Sequence, residues 1–187
     1  MLGDFKLRNW FIEQLAMYAA YHQDGRNQAT HHIGVPMIVF SLLVLSCMVS
    51  IPLGGGSMVP LSIPLISAML LLYLVNVPLI GAIATIKYGL LTMFAVFVCE
   101  SAGSNSLWWG VGLFVLGWAI QFIGHVFEGR KPALFDNLTQ VFMAPAFLIA
   151  EVLFSMGLCH GLHGEILARR GRYEAESHDV SPEAVAN

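Results

Sequence analysis

One long uncharged stretch constrains this chain more than any other feature. From Asn27 to Ile86 the sequence contains no Asp, Glu, Lys or Arg. A helix needs only about 20 apolar residues to cross the hydrocarbon core of a bilayer, so this stretch is long enough for more than one crossing. Over the whole chain of 187 residues, 57% are apolar and 11% are charged, whereas soluble domains contain about 25% charged residues. The sequence therefore predicts an integral membrane protein.

Charge and cysteine content exclude several other protein classes. The formal net charge is −3 and the basic residues form no cluster that could neutralise phosphates, so we expect no nucleic-acid partner. The three cysteines lie in or beside apolar runs and no two of them form a CxxC pair, which is typical of small buried side chains. A disulfide-stapled secreted domain is therefore not expected.

The N-terminal region has the pattern of an amphipathic helix. Over residues 5–22, apolar side chains recur at spacings of three and four, which predicts a helix lying at the membrane surface. These side chains are Leu7, Trp10, Phe11, Leu15 and Tyr18. The Asp24-Gly25 pair then predicts the end of this helix.

Breaks at proline, glycine and polar residues divide the remaining sequence into apolar segments. They predict four spans, at residues 35–52, 61–77, 79–98 and 107–127. A fifth segment, 138–158, contains Pro145 and Glu151, and we expect it to be either a span or a re-entrant segment. The tail, 169–187, is polar. The predicted fold is all-α: one membrane domain (1–187), a polytopic transmembrane helix bundle with an N-terminal amphipathic helix and four to five membrane segments.

The basic residues predict how this bundle is oriented. Eight of the nine lie in the N-terminal region, the loop 128–137 and the C-terminal region, and the positive-inside rule places these three regions in the cytoplasm. They are Lys6, Arg8, Arg26, Arg130, Lys131, Arg169, Arg170 and Arg172. Four spans return the chain to the same face, so we expect that 138–158 does not cross completely. Lys87 is the exception, because it lies inside the third predicted span.

Histidines are the residues in this chain best suited to chemistry. Six of the seven lie at the ends of apolar segments on the predicted cytoplasmic side, and neutral imidazole is the commonest metal ligand in proteins. His22 and His31 flank the Asp24-Gly25 turn, and His125 ends the fourth span. This topology allows all three imidazoles to face one pocket. His178 lies in the polar tail and is set aside.

A carboxylate accompanies the third of these histidines. Glu128 follows His125 by three residues, so the two share a helix face if the helix continues. Two or three histidines with one carboxylate are the ligands of non-haem iron oxygenases. The residues leave open whether a ligand set is His22, His31 and His125 alone or is completed by Glu128, His32 or water. The structural alternative is that each histidine is an ordinary hydrogen-bonded residue at the membrane interface.

The remaining candidates carry weaker signals. His160 and His163 are spaced i, i+3, but the glycines beside them suggest a fraying helix end. Arg130 or Lys131 could meet the acidic head group of a lipid substrate, or could form ordinary solvated ion pairs. Glu151 is an isolated carboxylate inside an apolar segment, with a histidine or Arg130 as its expected partner.

Two stretches of the sequence together resemble the Mpo-like 2-hydroxy fatty acid dioxygenases, a family of microbial membrane proteins. The first runs Tyr-His-Gln-Asp-Gly-Arg-Asn over 21–27 and is followed by His31 and Val35-Pro36. The second comprises Trp118, Gln-Phe-Ile-Gly-His over 121–125, Glu128 and Lys-Pro-Ala-Leu over 131–134. The resemblance covers roughly residues 8 to 158.

This resemblance implies an iron(II)-dependent dioxygenase in a bacterial inner membrane, or in the endoplasmic reticulum of a eukaryote. Such an enzyme shortens a 2-hydroxy fatty acid by one carbon with O2 and releases CO2, without an organic cofactor. The family's motif histidines match His22, His31 and His125, which would bind Fe(2+) on the cytoplasmic side. Glu128 matches a motif carboxylate, and we take Glu128 and Arg130 as the candidate catalytic residues. The expected partners are the hydroxy acid, O2 and membrane lipid.

Two other functions fit parts of the sequence. A diiron hydroxylase or desaturase needs several HxxxH or HxxHH boxes, and this chain contains only the adjacent pair His31-His32. A non-enzymatic membrane protein, such as a small transporter or an assembly factor, would use Glu151, Lys87 and the proline-broken segments to line a path, and its histidines would be interfacial.

Overall fold

The structure of the chain, a computed structural model, describes residues 2–175. Seven α-helices account for most of these residues, which confirms the predicted helical class. Their bounds are α1 Leu2–Tyr21, α2 Gly25–Cys47, α3 Ser62–Asn76, α4 Pro78–Ala102, α5 Ser106–Glu128, α6 Gln140–Ser155 and α7 His160–Ala175. Two short strands, β1 Ser50–Gly54 and β2 Ser57–Pro60, join α2 to α3.

Much of the apolar face of the first helix packs against other helices of the protein. The side chains of Phe11, Ile12 and Leu15 in α1 are fully buried, and α1 packs against α6 and α7. The predicted amphipathic helix at 5–22 is therefore a helix of nearly that length whose apolar face contacts other helices. A single-sequence pattern cannot separate an apolar face that contacts other helices from one that contacts a membrane surface, because both environments bury that face.

Glycines set the contact between α2 and α5. A Cβ on Gly34 would lie 3.0 Å from the carbonyl oxygen of Gly117, and a Cβ on Gly110 would lie 2.6 Å from the side chain of Leu45. Gly34, early in α2, lies beside Gly117, and Leu45, late in α2, lies beside Gly110, so the two helices run antiparallel. Small residues of this kind let two backbones approach closely in membrane helix pairs. This close approach brings the start of α2 beside the end of α5.

A β-hairpin replaces the end of the first predicted span. The segment 35–52 was expected to be helical to its end, but α2 ends at Cys47 and residues 50–52 pair with 58–60 in an antiparallel ladder. The turn is glycine-rich, and Gly54, Gly55 and Gly56 all have positive φ angles, of 90°, 59° and 83°. Glycine is the residue that adopts these angles without steric cost.

The number of predicted membrane spans is not confirmed. Two helical stretches are long and apolar enough to cross a membrane: Gly25–Cys47, and the 51 residues of Pro78–Glu128. The second stretch contains both α4 and α5, with a break at Gly103, where φ is 53°. The predicted span 61–77 corresponds to α3, which has only 15 residues.

The segment predicted at 138–158 is a broken element. Helix α6 has 16 residues, and α7 continues from it at an angle of 116°. Together they can form a third crossing or a re-entrant pair. Helix α7 extends through the beginning of the predicted polar tail, 169–187, to Ala175, and the rest of that tail, including His178, lies outside the described residues.

Large apolar side chains cover the outer faces of α4 and α5. Ile86, Met93 and Trp108 are 68%, 70% and 73% exposed. Exposed apolar surface of this extent is unusual for a protein in water and is compatible with a membrane environment.

Candidate metal centre

Three histidines from three different elements meet at one point. His22, His31 and His125 are all buried, and one ring nitrogen of each lies within 4.8 Å of the others. The ring centroids are 4.5 Å apart for His22 and His31, 5.2 Å for His22 and His125, and 5.1 Å for His31 and His125. The sequence analysis predicted this convergence, and it is the one grouping of this kind among the described residues.

Local chain geometry explains why these side chains meet. His22 follows the last residue of α1, and a short turn leads to α2, in which His31 lies in the second turn. Asp24 caps the N-terminus of α2, and its side chain accepts a hydrogen bond of 2.8 Å from the backbone N–H of Arg26. Helix α5 runs antiparallel to α2, so its last turn places His125 opposite His31.

Backbone carbonyls fix the orientation of two of the imidazoles. His22 Nδ1 lies 2.8 Å from the carbonyl oxygen of Tyr18, and His31 Nδ1 lies 2.9 Å from that of Asn27. A carbonyl oxygen only accepts hydrogen bonds, so each Nδ1 carries the proton and each Nε2 presents a lone pair. Histidines that bind metal ions are usually oriented in this way.

The two lone pairs face each other across a short distance. His22 Nε2 and His31 Nε2 are 3.1 Å apart. Because the proton of each ring is on Nδ1, neither Nε2 can donate a hydrogen bond to the other. His125 contributes a further buried nitrogen, because its Nδ1 has no hydrogen-bond partner among the described residues. Electron-rich nitrogens crowded in this manner repel unless a cation lies between them. The arrangement therefore fits a metal ion held by three imidazoles.

Burial also selects the protonation state that a metal requires. The pKa of His22 is lowered well below 6.5, first because burial disfavours its charged form and then because His31 lies beside it. At neutral pH His22 is therefore uncharged, which is the form of imidazole that binds metals.

Glu128 lies outside this cluster and bridges two elements instead. Its Oε1 accepts a hydrogen bond of 2.9 Å from the backbone N–H of Gln23, and its Oε2 accepts bonds of the same length from the N–H of Asp24 and from Asn27 Nδ2. The carboxylate thus ties the end of α5 to the turn that carries His22. The sequence pattern placed Glu128 near His125 but could not show which groups it would contact.

Arg130 contacts the end of α1 rather than the histidines. Its Nη1 donates a hydrogen bond of 2.7 Å to the carbonyl oxygen of Ala20, and its guanidinium lies 4.2 Å from the ring centre of Tyr21. Lys131 forms an ion pair of 2.5 Å with Asp136, which also accepts a hydrogen bond from the Tyr21 hydroxyl. The loop after α5 is thereby attached to α1.

The other candidate residues are placed elsewhere. His32 Nε2 lies 3.5 Å from a carboxylate oxygen of Glu151, so that carboxylate does have a histidine neighbour. His163 stacks on Phe154 with ring centroids 4.3 Å apart, and His160 is exposed at the start of α7. A second, more polar cleft reaches His22 from the side of Glu151 and His163.

An apolar cleft opens beside the three histidines. One wall is a stripe of α2, and α5 contributes Trp118 and Gln121. The α2 stripe consists of Val35, Ile38, Val39 and Leu42. The sequence analysis placed Tyr18 on the apolar face of the first helix but did not assign it to the site, and it missed Gln140. Tyr18, four residues before His22, stacks on that histidine at 3.9 Å with an interplanar angle of 7°. Gln140 had no local signal, because it comes from α6.

Comparisons with known proteins show which proteins this chain is similar to. A family model described as 2-hydroxy-palmitic acid dioxygenase Mpo1-like matches residues 9–156, a range that includes all three histidines. The protein named 2-hydroxy-palmitic acid dioxygenase MPO1 from Saccharomyces cerevisiae is 36% identical over 146 residues, which cover 77% of this chain and 80% of the yeast protein. No solved structure matches the chain.

Proposed function

The chain belongs to the Mpo1-like family of 2-hydroxy-palmitic acid dioxygenases, and from that membership we propose that it is an iron(II)-dependent dioxygenase of 2-hydroxy fatty acids. The proposed reaction joins the hydroxy acid and O2 and yields a fatty acid shorter by one carbon, CO2 and water. The substrate itself supplies the electrons, so no organic cofactor is needed. The buried cluster of His22, His31 and His125 is the observation that carries this proposal.

The three imidazoles would hold the iron. When bound, iron(II) would supply open positions for O2 and for substrate oxygens, together with the redox chemistry that O2 requires. Three neutral histidines leave the charge of the ion uncompensated. A substrate carboxylate is therefore attracted to this end of the cleft. None of the described residues that line the cleft is Lys, Arg, Asp or Glu, so this attraction would come from the ion held by the three histidines.

The apolar stripe of α2 gives the acyl chain a place to lie. From His31 to Leu42 the stripe extends roughly 16 Å at the rise of an α-helix. Leu42 is 44% exposed and Val141, across the cleft, is 37% exposed. An acyl chain could therefore enter from the bilayer with its head group toward the histidines.

Glu128 and Arg130 act in this proposal as positioning residues. We predicted catalytic roles for both, but their hydrogen bonds favour a role in holding the turn and the end of α1. Glu128 fixes the backbone immediately after His22. Arg130 fixes the α1 carbonyl at Ala20, two residues before His22.

We place the protein in a membrane, with the metal centre on the cytoplasmic side. The apolar exposed faces of α4 and α5 support a membrane location, and the basic residues near α1, α7 and the loop after α5 support the orientation. The membrane would be the inner membrane in a bacterium or the endoplasmic reticulum in a eukaryote.

The proposal is tested by an assay that follows metal and product together. The protein is purified in detergent without oxygen, its iron is quantified, and 2-hydroxypalmitate and air are then added. We expect about one iron per chain and formation of pentadecanoate. His22→Ala should lose both iron and product, whereas His160→Ala, a change at an exposed histidine, should keep both. Iron without any shortened acid would contradict the proposed substrate, and neither iron nor product after reconstitution with iron(II) would contradict the proposed function.

A further inference from the structure

One buried amide in the cleft has a role that the metal centre does not explain. Gln140 is the first residue of α6, its side chain is only 2% exposed, and it lines the cleft together with the three histidines. Its carbonyl oxygen, Oε1, is buried and has no hydrogen-bond donor among the described residues. Buried acceptors are almost always paired, so this atom calls for an explanation.

A hydrogen-bond chain that begins at the backbone fixes the direction of this amide. The backbone N–H of Thr139 donates to Asn137 Oδ1 at 3.0 Å, so the other end of the Asn137 amide must be its NH2 group. That Nδ2 donates to Gln14 at 2.7 Å, which identifies the Gln14 acceptor as Oε1. Gln140 Nε2 donates to the same oxygen at 2.9 Å. The amide of Gln140 therefore cannot turn over without losing this bond, and its carbonyl stays unpaired.

A buried carbonyl oxygen needs a hydrogen-bond donor. At neutral pH the carboxylate of a fatty acid has no proton to donate. The hydroxyl group at carbon 2 is the one donor on a 2-hydroxy fatty acid, and an unsubstituted fatty acid has none. The polar groups of the cleft can thus distinguish the two acids.

We propose that Gln140 recognises the 2-hydroxyl group of the substrate through its unpaired carbonyl oxygen, and so selects 2-hydroxy acids over unsubstituted acids. This inference rests on the proposed function, because it assumes that the cleft beside the histidines is the substrate site. Gln14 is the positioning residue that keeps the carbonyl of Gln140 available.

The neighbouring polar groups do not replace Gln140 in this role. Gln121 also has a buried Oε1 without a donor, but its amide forms no hydrogen bond to the other described residues that would fix it, so it can present either end. The Tyr18 hydroxyl, also buried and unpaired among these residues, can donate to the carboxylate. Gln140 is distinguished from both by an orientation that leaves only an acceptor.

The test compares the binding of 2-hydroxypalmitate and palmitate to protein loaded with zinc(II), which occupies the histidine nitrogens and cannot oxidise either acid. Quenching of tryptophan fluorescence reports binding, because Trp118 lines the cleft. We expect the preference of the wild-type protein for the hydroxy acid to be about tenfold greater than that of Gln140→Met, the usual effect of one hydrogen bond to a buried group that is otherwise unpaired. Gln140→Met keeps the size of the side chain but removes the amide, so it should lose this part of the preference.

Val141→Ala is the matched control, because Val141 also lines the cleft but offers no polar group. It should weaken the binding of both acids alike and leave their ratio unchanged. Binding of palmitate by Gln140→Met also shows that this variant is folded. If Gln140→Met keeps the wild-type preference, the assignment to Gln140 is wrong while the proposed function stands. If the wild-type protein neither prefers nor converts 2-hydroxypalmitate, the proposed function fails and the inference fails with it.

Discussion

At the scale of single residues, the candidate site depends on where protons and lone pairs are held. Two backbone carbonyls keep the protons of His22 and His31 on Nδ1, so that both Nε2 atoms face the same point. Glu128 acts one step further out, since it accepts hydrogen bonds from the adjacent backbone N–H groups of Gln23 and Asp24, in the turn between the two histidines. Contacts to the main chain therefore organise the candidate site as much as the three histidine side chains do.

Glu128→Gln separates a positioning role from a catalytic one. The substitution removes the charge and one of the acceptor oxygens, and charge-assisted hydrogen bonds of this kind contribute about 1.5–3 kcal/mol each. We expect a lower free energy of unfolding and roughly 10- to 100-fold weaker iron binding, with turnover at saturating iron close to that of the wild type. Glu100→Gln, a charge removal at an exposed residue, should change none of these. A loss of turnover by orders of magnitude at full iron occupancy would instead assign Glu128 to the chemistry.

At the scale of elements, the packing of α2 on α5 sets the distance between His31 and His125. Near the histidines this contact depends on Gly124, where a Cβ would lie 2.0 Å from Thr30 Oγ1 and 2.4 Å from Asn27 Oδ1. Asn27 also supplies the carbonyl that orients His31 and an amide hydrogen bond to Glu128. Any change in the helix spacing here is therefore passed directly to the metal centre.

Gly124→Ala tests this coupling of packing to the site. The added methyl group must displace the side chains of Thr30 and Asn27 or push α2 and α5 apart, which we expect to cost about 1–3 kcal/mol of stability and to lower iron occupancy. Gly112→Ala is a matched change in the same helix, where nothing lies within 4 Å of the new Cβ, and its better helix propensity should leave stability equal or slightly higher. Thermal unfolding and iron content of the two variants can be compared directly. Equal iron content in both would show that the helix spacing does not control the centre.

At the scale of the whole molecule, local sequence signals predicted which three histidines lie close together better than they predicted the surroundings of these histidines. The Asp24-Gly25 break and the span ends were enough to group His22, His31 and His125, because each signal is contained within a few residues. Gln140 enters the cleft only because α6 packs beside α1 and α2, and no local pattern reports that contact. The periodicity of α1 predicted its apolar face but could not show that α6 and α7, from the distant C-terminal part of the chain, pack against it.

The number of crossings shows a second limit of local patterns. Apolar composition predicted four to five segments, whereas helix length and bending support two long stretches and one broken pair. Proline and glycine positions located the interruptions, but the angle of 116° between α6 and α7 follows from tertiary packing. The cleft nevertheless opens at side chains exposed on the outer surface, Leu42 and Val141, which suits a substrate that arrives from a membrane.

The central claim is that three imidazoles hold the metal, and X-ray absorption at the iron edge tests it most directly. Imidazole ligands give a distinct outer-shell scattering pattern, from which the number of histidines bound to iron can be counted. The account predicts three histidine ligands in the wild-type protein as isolated without oxygen. A spectrum with sulfur ligands, or one without imidazole scattering, would contradict the assignment of His22, His31 and His125 as the metal centre.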